Sequence, residues 1–293
     1  HFQRENYSHA LRNFQRAYRY DRSASSALQD IVSLAIELEQ VALAGRYAMI
    51  AISEYPLEPV LVRQLAMYFT EEMQFSQAIA LHEAAMQAEQ PAQLDATTVL
   101  LQLEMGRLYM LTEQHERAAD CFEVVRDALS HPEKYRLTER LQKIVLGKPD
   151  LTYSLLAEGF LAATRTDKAE EMFRQANKAE PDAHQLALNL ARITAAREQY
   201  PVAMDHLEQY LQSNSTAGGS RAYKLLELQL NNLRFDPQQV RNEFLERLQQ
   251  KHTKQPDNTV LGYFLANHYL KNSQFELAES VLSVAIKHEP TVE

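Results

Sequence analysis

Apolar side chains recur three, four and seven residues apart along most of the chain, the spacing that gathers them on one face of an α-helix. The same face returns on a longer scale. A small anchor residue, Ala10, Ala44, Ala78, Ala118, Ala169, Ala203 and Ala278, with Val240 in the remaining slot, reappears at intervals of 34, 34, 40, 51, 34, 37 and 38 residues. Three intervals are equal and none is shorter, which is how a repeated unit looks when loops of varying length are inserted between copies.

Around each anchor the neighbours follow a rule. Three before it stand Tyr7, Val41, Phe75, His115, Thr166, Tyr200 and Phe275, and four after it Phe14, Ala48, His82, Phe122, Phe173, Leu207 and Leu282. Seven after come Ala17, Ala51, Ala85, Val125, Ala176, Tyr210 and Ala285. A small anchor lets a neighbouring helix approach, and the larger residue one turn later fills the space beside it. Pro56, Pro181 and Pro290, twelve after their anchors, stop this helix. An earlier helix precedes it in each unit, marked by a large residue, a small one and then an aromatic: Leu65-Ala66 with Phe69, Met105-Gly106 with Tyr109, Leu156-Ala157 with Phe160, and Leu265-Ala266 with Tyr269. No strand pattern survives, so the expected fold is all-α, with about fifteen to seventeen helices stacked as antiparallel pairs in an α-solenoid.

These positions resemble the tetratricopeptide repeat, with Leu156 to Pro181 and Leu265 to Pro290 the segments most similar to that pattern. The resemblance implies a right-handed superhelix in which first helices line a concave groove. It divides the chain into the second half of a repeat at 1–24, repeats at 25–58, 59–94 and 95–131, an inserted helix at 132–149, repeats at 150–183 and 184–217, an irregular helix pair at 218–255 and a repeat at 256–293. The irregular pair departs from the pattern at Pro237, Glu227 and Arg247, which leaves its helices expected but its repeat geometry open.

Two stretches break the rhythm. Residues 131–150 predict an extra helix over 133–146, starting at Pro132, stopped by Gly147 and Pro149, with Leu137, Leu141, Ile144 and Val145 on one face and packing expected through Leu137, Leu141 and Ile144. Ser213 to Ser220, rich in Ser and Gly, reads as a flexible loop and a joint between sub-blocks. The chain opens on His1-Phe2-Gln3 in helical sequence and reads as a fragment of a longer protein. Its first and last helices, with Tyr7, Ala10, Phe14 and Ala17 at one end and Ala285 and Ile286 at the other, are expected to present apolar surface, which makes self-association through exposed repeat ends a further expectation.

Composition narrows the function. Thirty basic against thirty-nine acidic side chains leave a net charge of −9, a poor footprint for coating nucleic acid or an anionic membrane. No apolar run approaches the length of a membrane helix, so no membrane insertion is expected within the chain. The compartment stays open, with the cytoplasm favoured.

Catalytic patterns fail on inspection. His82-Glu83 begins like a zinc-protease helix, but the fifth residue is Met86 rather than a second histidine. His82 therefore reads as a packed core histidine. Gly218-Gly219 lacks the strand and the Gly-Lys-Ser/Thr ending of a phosphate cradle, and the lone Cys121, beside Phe122, reads as a partly buried inert thiol. The sequons at Asn6 and Asn214 carry little weight without a known compartment. Neither enzyme activity nor a metal or other cofactor is expected.

What remains is surface. The resemblance implies that ligands touch residues fifteen and eleven before each anchor, which selects Arg63 and Met67, Leu103 and Arg107, Ser154 and Glu158, Leu188 and Arg192, Leu225 and Gln229, and Tyr263 and Asn267. Arginine can grip a carboxylate through two N–H donors while apolar neighbours anchor a side chain. The opposing reading is that Leu103 and Leu188 pack between helices and the arginines are solvated. The expected function is a non-catalytic interaction scaffold that binds a protein or peptide in the groove; the alternative is a region that presents substrate to a catalytic domain elsewhere in a longer chain.

Overall fold

The computed structural model describes residues 2–22, 25–54, 59–88, 95–212, 222, 224, 225, 228 and 237–288. Fifteen helices and no strand occur among them. In chain order they are α1 (Phe2–Tyr20), α2 (Ser25–Glu37), α3 (Val41–Glu54), α4 (Pro59–Glu71), α5 (Phe75–Ala88), α6 (Ala96–Leu111), α7 (His115–Ser130), α8 (Glu139–Leu146), α9 (Pro149–Ala162), α10 (Thr166–Ala179), α11 (Ala183–Ala196), α12 (Tyr200–Leu211), α13 (Pro237–Lys254), α14 (Thr259–Lys271) and α15 (Phe275–His288). The chain forms two compact units, His1–Val145 and Leu146–Glu293. Their boundary falls within the 131–150 segment. The expected joint at Ser213–Ser220 lies outside the described residues.

One turn recurs through both units. Helices α2 and α3, α4 and α5, α6 and α7, α9 and α10, α11 and α12, and α14 and α15 are each joined by three residues and packed together. So short a link reverses the chain, which makes each pair antiparallel. The middle residue of the link is left-handed every time: Glu39, Met73, Glu113, Thr164, Glu198 and Ser273 all have φ between 57° and 60°. Each is followed by an N–H that reaches back five residues, as in Gln74 to the Phe69 carbonyl at 2.7 Å and Gln114 to that of Tyr109 at 2.8 Å. This is a Schellman cap, which satisfies carbonyls that the ending helix cannot pair internally.

The turn fixes the register of the second helix. Val41, Phe75, His115, Thr166, Tyr200 and Phe275, three before their anchors, are the first residues of α3, α5, α7, α10, α12 and α15. Ala44, Ala78, Ala118, Ala169, Ala203 and Ala278 are all buried, as are Leu65-Ala66, Met105, Leu156-Ala157 and Leu265-Ala266 on the first helices. Gly106 shows how tight the approach is: a Cβ there would lie 2.3 Å from Cε1 of Phe122 on the paired helix.

Three expectations change. In α1 the buried residues are Leu11 and Tyr18, while Ala10 is half-buried and Tyr7 and Ala17 are exposed. The helix turns by one residue because the pair seven apart with larger side chains buries more apolar surface than two alanines. Tyr18 meets Tyr47 of α3 edge to face, with ring centroids 6.2 Å apart. In the irregular region Val240 is half-buried, and the core is instead filled by Phe244, Leu245 and Leu248 of α13. Arg247 is exposed there and pairs with Glu208 of α12 at 3.2 Å.

The third change concerns the insertion. Residues 131–137 are held in turns by Asp127, which accepts from Lys134 Nζ at 2.6 Å, Tyr135 Oη at 2.7 Å and faces His131 Nδ1 at 3.0 Å. The extra helix therefore begins at Glu139 rather than 133, after Thr138, whose hydroxyl accepts from the Leu141 N–H at 3.4 Å. Tyr135, Leu137 and Val145 are buried, Leu141 is half-buried, and Ile144 is exposed. Of the expected face, Leu137 is buried but precedes the helix, Val145 is the buried position inside it, and Ile144 departs by turning to solvent.

Candidate functional site

Each unit carries a pocket bounded by a first helix, its second helix and the next first helix. In the first unit, about 500 Å³ lies among α4, α5 and α6, with Arg63, Met67, His82, Met86, Leu101 and Glu104 in its lining. In the second unit, about 670 Å³ lies among α9, α10 and α11, lined by Asp150, Ser154, Phe173, Asn177, Asp182 and Asn189 among others. The two are built at the same places in the repeat. Arg63 and Ser154 stand fifteen before their anchors, His82 and Phe173 four after, Ala85 and Ala176 seven after, Met86 and Asn177 eight after. From the following unit come Thr97 and Asp182, Leu100 and Gln185, Leu101 and Leu186, Glu104 and Asn189, at 21, 18, 17 and 14 before the next anchor.

Shared geometry carries different chemistry. The first pocket is mainly apolar, with two thioethers that can reshape to an incoming side chain. His82 in its wall is buried, and desolvation, helped by the positive charge of Arg63, pulls its pKa down to about 4. The imidazole is neutral at physiological pH, so the wall presents no cation there. Glu104 is held by Arg107 at 2.8 Å. The second pocket adds Glu180 to its acidic lining and contains no lysine or arginine. Asp182 caps α11, accepting from the His184 and Gln185 N–H groups at 3.0 and 2.9 Å.

The residues selected by sequence meet different fates. Arg63 and Met67 are exposed on α4 and line the first pocket together. Arg107 is exposed but paired within its own helix. Leu103 and Leu188 are 3% and 1% exposed and pack between helices, in line with the opposing reading of these two positions. Glu158 and Arg192 are bound to each other, Nη1 to Oε1 and Nη2 to Oε2, both at 2.6 Å. Tyr263 is exposed and Asn267 half-buried on α14, and Leu225 packs against the core of the second unit. Gln229 lies outside the described residues.

Counting from the first helix alone missed part of both pockets. Their walls draw on positions four, seven and eight after the anchor, where His82 and Asn177 interrupt the run of apolar residues. That interruption was the available signal. Cys121 is buried and its thiol is pushed up to about 12 by desolvation, so it stays protonated and unreactive. Among the described residues no three His, Cys, Asp or Glu side chains gather to hold a metal ion, and no helix is long and apolar enough to cross a membrane.

No protein-family model matches the chain, and no curated protein does. Solved structures similar to it include the C-terminal part of a TPR repeat-containing protein from Cytophaga hutchinsonii, at 15% identity over 100% of this chain and 94% of that one, with a TM-score of 0.42. Another is a tetratricopeptide repeat protein from Parabacteroides merdae, at 11% identity, 92% and 95% coverage and a TM-score of 0.41. A third is the assembly chaperone of RpL4, at 14% identity, 87% and 99% coverage and a TM-score of 0.42. In this chain the anchor register, the reversed helix pairs and the recurring left-handed turn together make an all-helical fold of repeated antiparallel helix pairs.

Proposed function

We propose that this chain is a non-catalytic interaction scaffold that takes a peptide or protein partner at the pocket each unit carries. The observation that carries the reading is the recurrence of a pocket at one repeat position in both units, with linings of different chemistry. A scaffold gains selectivity in this way, since a common geometry admits a segment of chain while side chains at fixed offsets choose among residues. Arg63 and Met67 line the first-unit pocket, and Arg107, Tyr263 and Asn267 stand at the equivalent repeat positions on their own helices. The repeats themselves follow the division at 25–58, 59–94, 95–131, 150–183, 184–217 and 256–293.

Selection of a random peptide library displayed on phage tests the proposal. Peptides recovered on the native chain lose binding to a Met67→Asp, Met86→Asp variant, and keep it with Met49→Asp, a change on α3 away from the pocket. Failure to recover any peptide, or equal binding to all three proteins, overturns it.

A further inference from the structure

The second-unit pocket contains an amide whose donors have no acceptor among the described residues. Asn189 is 6% exposed, and its Oδ1 faces both Gln185 Nε2 and Arg192 Nη1 at 3.3 Å. A guanidinium can only donate, so the oxygen must point that way and the two Nδ2 hydrogens are left without a partner among the described residues. The side chain lines the pocket, which is its route to an acceptor.

Around that amide the charge is of one sign. Asp150, Glu180 and Asp182 line the pocket. The neighbouring Arg192 does not offset them, because Glu158 takes both of its terminal nitrogens. Leu151, Phe173 and Leu186 supply apolar wall between the polar groups. A long aliphatic stem ending in a cation matches such a lining, since the stem covers apolar surface while the head stays among carboxylates.

We propose that this pocket takes an extended segment of a partner protein bearing a lysine or arginine, with a main-chain carbonyl of the segment accepting from Asn189 Nδ2 and the basic side chain directed to Asp150 and Glu180. The assignment rests on the interaction-scaffold reading and names the chemistry of the partner at one of its two pockets.

Fluorescence anisotropy with a labelled octapeptide of alternating alanine and lysine tests it, beside the same peptide with acetylated lysines and one with glutamate in their place. The lysine peptide binds and the other two do not. The triple variant Asp150→Asn, Glu180→Gln, Asp182→Asn keeps the helix cap, because asparagine caps as well as aspartate, yet weakens binding at least tenfold. Glu198→Gln, Asp205→Asn, Glu279→Gln, which removes equal charge elsewhere in the unit, changes binding less than twofold. In a ¹⁵N spectrum the Asn189 side-chain amide shifts on addition of the lysine peptide.

Equal weakening by both triple variants overturns the proposal, because attraction to an acidic chain then accounts for binding. Binding of spermidine as tight as that of the peptide overturns it in favour of a free polyamine, and an unmoved Asn189 amide overturns the carbonyl contact. If these results fail while library peptides still depend on Met67 and Met86, the scaffold reading stands without this partner chemistry.

Discussion

Arg192 on α11 holds Glu158 on α9 with two parallel hydrogen bonds of 2.6 Å, linking residues 34 positions apart and thus one repeat unit. Two-point geometry fixes the angle between the first helices as well as their distance. The side chains are 24% and 37% exposed, so solvent screens the pair and its worth is about 1 kcal/mol. A double-mutant cycle with Glu158→Gln and Arg192→Met, read by urea unfolding, is expected to show a coupling of about that size. Additive effects would reduce the pair to a surface contact.

His82 makes stability depend on pH. Its folded pKa, about 4, lies below the unfolded value near 6.5, so the unfolded chain binds a proton that the folded chain refuses. The stabilising contribution is full above the unfolded value and is lost as pH falls toward the folded one. Between pH 7.5 and 5 the loss from this residue is on the order of 2 kcal/mol. Phenylalanine occupies the equivalent place in the second unit, at Phe173. His82→Phe is therefore expected to fold and to flatten the pH dependence of the urea midpoint, leaving the part due to His252, whose pKa burial also lowers. An unchanged pH profile would contradict the assignment.

The left-handed turns cost stability at every repeat. Met73 and Ser273 sit at φ 58°, a region that crowds a Cβ and suits glycine. Met73→Gly and Ser273→Gly are expected to stabilise the chain by about 0.5–1 kcal/mol each, the relief of crowding exceeding the greater freedom of glycine in the unfolded state. Thermal unfolding checks this. A fall in midpoint for both variants would show that the native side chains make compensating contacts.

In the insertion, burial separates residues that helical spacing had grouped. Leu137 is 5% exposed and Ile144 is 53% exposed. Leu137→Asp is expected to cost several kcal/mol by burying an unpaired carboxylate, and Ile144→Asp less than about 0.5 kcal/mol. Similar losses for both would restore the helix face expected from sequence.

These cases show what the sequence made legible. Helix pairs, their register and the buried anchors follow from local spacing, which a single unit such as Leu156 to Pro181 displays whole. The insertion was misread because Asp127, outside it, holds residues 131–137 in turns through three side chains. The α1 face slipped because Leu11 and Tyr18 compete with Ala10 and Ala17 at the same spacing. For the candidate site, offsets select Arg63 and Met67, which line the first pocket, but they do not tell an arginine open to a pocket from Arg192, whose carboxylate partner stands in the preceding repeat. Nor could they reveal that Leu103 and Leu188, at that nominal ligand position, are enclosed by neighbouring helices.

Methionine methyl resonances test the central claim most directly, because Met67 and Met86 line the first pocket whereas Met49 and Met73 lie outside it. With ¹³C-methyl methionine in the native chain and a library-selected peptide added, the account predicts shifts for Met67 and Met86 and none for Met49 or Met73. Shifts confined to Met49 and Met73 would place the partner on another surface and contradict it.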